Sequence, residues 1–388
     1  MKSSPRGEVP GSQKLLHGVF LLAFHLILYG ISIFSPPCGF CHTIHYSVEP
    51  KGMTVRVFYS PDDPASYAEY LWVFLVGDSP LWAHHGGVSL ALGPGSPIEA
   101  NSPLTLPQGG FVVSSRFEHV EWREWGRFEP ENKDSFTFFN LGFTYGLTPW
   151  LMGSLFIPYN VKRQDTLGTL EGIGDVKLSF SLGFNYNPRK GLSLNSMEDT
   201  ATTIEGTGTT YFAFMAGATF PTGKWKEKLG GEIDPGMQPG FGSPSLNVGF
   251  AASRQIWGPF SMTADVAYDV FTEREHFKFG NEFRFNVAGV YELWGKPEAF
   301  VNKIDGILEL NLLNVARDEE FGEKLDATGG TILYITPGLR FSFPSIQNMN
   351  LGVGVKLPIA KWLNERRDQQ GAEGLEKFRV ISTISIYF

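Results

Sequence analysis

The sequence predicts an all-β fold: a transmembrane antiparallel barrel of about twelve strands. Three observations predict it. From Phe111 to Phe388 the chain repeats one unit, an alternating apolar and polar segment of about ten residues followed by turn residues. The last stretch, Phe378 to Phe388, places Phe388, Ile386, Ile384, Ser382, Val380 and Phe378 on one parity and Tyr387, Ser385, Thr383, Ile381 and Arg379 on the other. In a strand these sets face opposite sides, so a long greasy face would lie open to water unless lipid covers it. Third, the chain carries 33 Phe, 13 Tyr, 9 Trp and 45 Gly, yet its mean hydropathy is only -0.08. Helical membrane proteins are far more apolar, whereas a barrel hides its grease in alternation.

Taken in order, Lys2, Arg6 and Lys14 precede an apolar run from Leu15 to Phe34, and Ser35-Pro36-Pro37 follows. That is the pattern of a secretory signal peptide, here residues 1–41, cut after Cys41. A run of about 20 residues is also long enough for an uncleaved anchor helix. Cys38-Gly39-Phe40-Cys41-His42 fits the C-x-x-C-H pattern of covalent haem attachment, with His42 as axial ligand. The alternative is that processing beside these residues leaves no intact site, and no cofactor is expected. Residues 42–83 read as a short strand-containing periplasmic extension: Met53 to Ser60 alternates, Pro61-Asp62-Asp63-Pro64 is a turn, and Ala65 to Leu75 is the returning strand. His84 and His85 are adjacent and cannot both face one ion on a strand, so no metal site is assigned. Residues 84–109 are dense in Gly, Pro, Ser and Asn and should be an irregular lead-in.

The barrel proper spans 110–388. The cleanest strand sets Val176, Leu178, Phe180, Leu182, Phe184 and Tyr186 against Asp175, Lys177, Ser179, Ser181, Gly183 and Asn185. Similar sets recur at Phe111–Glu118, Phe139–Tyr145, Leu151–Tyr159, Phe212–Phe220, Leu246–Ala252, Met262–Val270, Phe283–Tyr291, Leu308–Leu312, Leu333–Phe341 and Leu351–Ile359. Leu308–Leu312 is the shortest of them. Tight links such as Leu147-Thr148-Pro149 and Trp257-Gly258-Pro259 alternate with longer charged ones such as 222–241 and 363–375. Short periplasmic turns and long outer loops are the expected asymmetry. The link 187–210 breaks this rule, being long on the short side.

With the greasy parity toward lipid, the other parity lines the lumen. It brings Arg116, Glu118, Asp175, Lys177, Asp265, Asp269, Glu282, Arg284, Glu309, Arg340, Lys356 and Arg379 inward. The signs are balanced, unlike the one-sided ring of a strongly ion-selective pore. The expectation is a weakly selective pore or side chains that pair across a narrow lumen, Asp175 with Lys177 and Glu282 with Arg284 among them. A net charge of -8 and the lack of a basic stripe argue against nucleic acid as a partner. Neither G-x-S-x-G nor H-E-x-x-H occurs, so no enzymatic activity is expected.

The terminal pattern also resembles the last strand of bacterial outer-membrane barrels, which makes Phe388 the expected insertion signal. Outer-membrane lipid, the barrel-assembly machinery and small-molecule solutes are then the expected partners. Ala83-His84-His85-Gly86-Gly87 through Gly93-Pro94-Gly95 to Gly110, Gly172 to Leu178, Phe220-Pro221-Thr222-Gly223-Lys224 and Gly329 to Arg340 carry a further resemblance. They are similar to the outer-membrane channel family labelled for the meta-cleavage (MetA) pathway of phenol degradation, over about residues 84–388. The resemblance implies an exported channel in the bacterial outer membrane, associated by name with aromatic compounds, and it supplies no site residues. Two functions follow as expectations. One is a channel for small solutes of hydrophobic or aromatic kind; the other is a structural or electron-transfer barrel with haem or a partner at the amino-terminal segment.

Overall fold

The computed structural model describes residues 93–388 apart from 123–134, 165–167, 200–207, 230–232, 327, 345, 347 and 365–375. It also describes the backbone of three strands nearer the amino terminus. Those three, β1 (Thr43–Glu49), β2 (Gly52–Phe58) and β3 (Tyr67–Tyr70), form an antiparallel sheet in a unit of their own. The second strand and the return fall where alternation placed them; β1 had no signal strong enough to be read. Cys38, Cys41 and His42, and with them the haem reading, lie outside the described residues, as do His84 and His85.

The second unit is a closed antiparallel barrel. Its long strands are β4 (Phe111–Trp122), β5 (Ser135–Thr148), β6 (Leu151–Gln164), β8 (Val176–Asn187), β10 (Thr210–Phe220), β11 (Ser245–Trp257) and β12 (Phe260–Phe271). They continue with β14 (Glu282–Gly295), β15 (Lys303–Val315), β18 (Gly330–Phe343), β19 (Met349–Leu363) and β20 (Glu376–Tyr387). Each pairs with its neighbour in the chain, and β20 closes on β4, giving twelve staves. Closure leaves no unpaired sheet edge in the membrane, where an unmatched N–H or C=O would cost several kcal/mol (about 4–8 into hydrocarbon). At the seam Phe111 and Phe388 exchange backbone hydrogen bonds of 2.8 and 3.2 Å, and their rings lie 6.2 Å apart.

Short pieces decorate the two rims. β7 (Gly168–Ile173) runs in line with β8 against β6, interrupted at Gly174-Asp175. β9 (Gly191–Leu194) folds back on β8. It accounts for the first part of the long link 187–210, which opens as an extra hairpin on β8. β13 (Phe277–Lys278), β16 (Glu319–Glu320) and β17 (Glu323–Lys324) join two loops at the opposite rim, the long-loop end. The strand around Leu308–Leu312, expected to be the shortest, runs from Lys303 to Val315. Its flanks hid its length, since Gly306 and Asn314 break the apolar parity on either side of Leu308–Leu312.

Period two sorts the side chains as a lipid-embedded barrel requires. Phe180 is 44% exposed on the outer face, whereas Ser179 beside it is 1% exposed. Phe184, Phe212, Phe214 and Phe250 form an aromatic band across three outer strands, with ring centroids from 5.0 to 6.4 Å apart. Apolar surface on this scale, continued by Leu246, Val248, Leu308, Leu310 and Ile359, is far beyond what a water-soluble surface tolerates.

Candidate functional site: a plugged barrel interior

The inward parity does not line an empty tube. Residues 93–110 enter from the short-turn end, rise to mid-barrel at Ile98–Asn101, and return to the short-turn end before becoming β4. At the first bend the Gly95 N–H reaches the Tyr387 hydroxyl (3.4 Å), and Arg340 donates to the carbonyls of Gly95 (2.7 Å) and Ser96 (3.2 Å). On the return, Thr105 donates to the Pro149 carbonyl at 2.6 Å, and Leu106 packs with Val112 and Met152. The segment is irregular, as its Gly and Pro content dictates. What the sequence reading missed is that it is buried and fills the lumen.

Four consecutive backbone amides at its summit are bound by wall carboxylates. Glu309 accepts from the N–H groups of Ile98 (2.6 Å), Glu99 (3.1 Å) and Ala100 (3.2 Å). Asp265 accepts from the Asn101 N–H (2.8 Å) and its side-chain amide (2.9 Å). This answers the requirement that buried backbone donors be matched where no sheet partner exists. Asn311 and Asn286 carry the network sideways, Asn311 donating to Glu309 (2.9 Å) and to Asn286 (3.0 Å), and Asn286 to Asp265 (3.1 Å).

The Glu99 side chain points to the opposite wall. There it meets Arg116 at 2.7 Å and Lys356 at 2.9 Å. Burial alone would push the Glu99 carboxyl up, but Lys356 and Arg116 beside it hold it below its ordinary value. Arg116 also bonds Glu118 (2.6 Å) and the Ile98 carbonyl (2.5 Å). Glu118 passes the charge on to Arg379 (2.9 Å), which holds Glu376 at 3.1 Å, and Tyr334 donates to Glu376 at 3.0 Å. The result is a desolvated belt of alternating sign along one side of the barrel, across β4, β20, β19 and β18.

Small wall residues make room for the plug. A Cβ added to Gly338 would lie 2.8 Å from Ile98, and one added to Gly354 would lie 2.9 Å from it. Ile98 sits in that dimple against Val290, Ile307 and Ile381. Gly352, Gly354 and Gly338 on the inward parity were the available sequence signal, since strand glycines often mark close approach of another backbone.

Below the plug, at the short-turn end, lies a cavity of about 680 Å³ whose lining includes Gly95, Leu104, Gln255, Lys303, Asp305 and Arg340. Arg340 and Lys303 both pair with Asp305, at 2.8 and 3.3 Å. A smaller space of about 80 Å³ lies beside Gly93, Ser114 and Arg116.

At the long-loop end, residues 221–229 and 233–244 between β10 and β11 fold into the barrel mouth. Lys162 on β6 donates to the Gly236 carbonyl (2.8 Å), and Asn160 donates to that of Pro239. Met237, on a 3-10 turn capped by Asp234, buries itself against Val120, Trp122, Phe136 and Phe138. Asp175 was expected to pair with Lys177. It instead accepts from the N–H groups of Gly223 (2.8 Å) and Phe241 (2.6 Å), because the break between β7 and β8 turns it toward this loop. Lys177 lies 4.0 Å from Asp269, which also bonds Arg284; Arg284 is 3.6 Å from Glu282. That second pair is the neighbour contact the alternation anticipates.

The family described as "Putative MetA-pathway of phenol degradation" matches residues 136–361, from β5 to β19. This chain belongs to that family. Among solved structures, the family member is similar to the COG4313 outer membrane channel from Pseudomonas putida F1, with a TM-score of 0.56 at 13% identity over 76% of this chain and 100% of that one. A FadL homologue from Pseudomonas aeruginosa aligns with a TM-score of 0.37 at 11% identity, over 81% of this chain and 99% of that one. No protein of curated function matches the sequence.

Proposed function

We propose that this family member is an outer-membrane channel for small hydrophobic solutes, held shut in this structure by residues 93–110. The carrying observation is the nature of the obstruction. An irregular segment fills a closed barrel, its summit bound by side chains of the wall, chiefly Glu309, Asp265, Arg116 and Lys356. Its backbone meets the sheet at its foot, where Gly109 and Gly110 bond Gly146 of β5, so the summit can leave while that foot stays paired. The likeness to an outer membrane channel and the family label support the same reading. In it the inward charges from Arg116 to Arg379 line the solute path, Phe388 directs insertion, and lipid covers the outer parity. The haem-bearing alternative gains no support from the fold or the comparisons.

The test is conductance of the whole chain in planar bilayers. The variant Glu309→Ala, Asp265→Ala is expected to conduct at least about tenfold more than the parent, because four buried amides lose acceptors worth about 1–3 kcal/mol each. Its heat-modifiable gel mobility should be unchanged. Equal, low conductance in a folded variant would overturn the reading.

A further inference from the structure

Glu99 is held by the wall at both of its ends. Its backbone N–H meets both carboxylate oxygens of Glu309 at 3.1 Å, and its own carboxylate meets Lys356 at 2.9 Å. The barrel register sets those two wall residues near each other. Glu309 on β15 lies directly opposite Thr336 on β18. Ile335 pairs with Leu357 and Gly338 with Gly354, so the same register puts Thr336 beside Lys356 on β19. Glu309, Thr336 and Lys356 are all buried on the inner face. Neighbouring strands lie about 4.8 Å apart, so about 10 Å separates the Cα atoms of Glu309 and Lys356. From Cα a Glu reaches about 5 Å and a Lys about 6 Å, enough to meet over the short Thr336 side chain. Glu99 is the wedge between them. Among the described residues Lys356 has no other acid in contact, and Glu309 has no cation.

We infer that Glu309 and Lys356 are a switch pair: Glu99 wedges them apart while the plug is seated, and they close on each other across Thr336 when its summit withdraws. This rests on the channel reading and supplies its open state. Withdrawal takes three N–H donors from Glu309 and the only acid from Lys356. Two opposite charges left unmatched inside a barrel attract strongly, and pairing relieves the penalty each carries alone. Their other charged neighbours are already committed. Arg379 is held by Glu118 and Glu376, and Arg116 keeps Glu118. Asp265, released from Asn101, keeps the Asn286 amide. The same charges thus have two discrete arrangements, one for each state, which is what a gate requires. In the open arrangement the pair also neutralises the wall along the path of an apolar solute.

The experiment measures hydrogen exchange at the Ile98 and Ala100 amides of the full chain, with conductance in planar bilayers beside it. Glu99→Ala removes the wedge's carboxylate and leaves the wall intact. Lys356 then competes with the plug for Glu309, so exchange and conductance should both rise about tenfold, the strength of one charged hydrogen bond. Adding Lys356→Met should bring both back to within about threefold of the parent, because Glu309 returns to the amides. Simple anchoring predicts no such recovery, since Lys356 has already lost Glu99. The inference is overturned if Glu99→Ala exchanges like the parent, or if the double variant exchanges as fast as Glu99→Ala. If Glu99→Ala lacks heat-modifiable mobility, the swap Glu309→Lys, Lys356→Glu carries the test. Swapped charges mismatch the plug yet match each other, so folded yield should exceed that of either single reversal about fivefold. No recovery of yield overturns the pair. Exchange does not depend on flux. Restored exchange with low conductance in every variant counts against the channel reading, and unrestored exchange counts against this pair.

Discussion

The plug at 93–110 and the lid at 221–244 both occupy the barrel, yet they are held by different chemistry. The plug is bound by carboxylates and cations: Glu309 and Asp265 on its amides, Arg116 and Lys356 on Glu99. The lid relies on apolar side chains, Met237 with Leu229 and Phe241, and on a few neutral or singly charged contacts from Lys162, Asn160 and Asp175. Desolvated charge pairs resist being parted, because removing one partner strands the other in low dielectric. An apolar side chain in an apolar nook is exchanged at little cost for another apolar group. The difference is one of fastening: the plug is tied by buried charge, the lid largely by apolar contact.

Four substitutions would break or sharpen that contrast. The largest effect is expected from Arg379→Met, which takes the paired guanidinium from buried Glu376 and leaves buried Glu118 with Arg116 alone of its two cations. A loss of about 3–5 kcal/mol should appear as a sharp fall in folded yield by heat-modifiable mobility; normal yield would mean the belt is not a structural tie. Next, Glu309→Ala alone should leave the barrel folded while hydrogen exchange at Ile98, Glu99 and Ala100 accelerates by orders of magnitude. Unchanged protection there would show that the carboxylate grip is not what seats the plug.

Asp175→Ala should act on the lid alone. Gly223 and Phe241 lose an acceptor, a change of about 1–2 kcal/mol, seen as faster protease cleavage within 221–244. Conductance should stay low, because the plug is untouched; a rise would merge the two closures into one gate. The smallest effect belongs to Lys226→Ala. Its 2.8 Å pair with Glu275 joins two side chains that are both more than half exposed. Lid cleavage and thermal stability should match the parent; a measurable shift would mean that this rim pair fastens the lid after all.

How much of this was legible beforehand differs by element. The staves were, because a strand that meets lipid on one side and protein on the other must alternate, and alternation survives in the residue order. Phe180 against Ser179 is the plainest case, and the terminal strand is another. The inward charges were legible for the same reason. Their partners were not, since Arg379 meets Glu118 from the far end of the chain. Register and closure choose such pairs, and neither is written in local spacing. Asp175 shows how a local rule misleads: its neighbour on the same face, Lys177, is not its partner, because the chain breaks at Gly174 and re-aims it.

The plug marks the boundary between the two kinds of knowledge. By itself the sequence determined that the described part of the lead-in, 93–109, would be irregular, since Gly and Pro deny it a helix or a strand. It could not say where an irregular segment lies. That was decided by the assembled wall, where Gly338 and Gly354 leave a dimple for Ile98 and Glu309 faces inward with no partner on its own strand close enough but Asn311. Buried carboxylates and bare amides each need a match that water cannot supply inside the barrel. Only when twelve strands have closed do the two come within hydrogen-bonding distance, and the same closure folds Met237 over the rings of Trp122, Phe136 and Phe138.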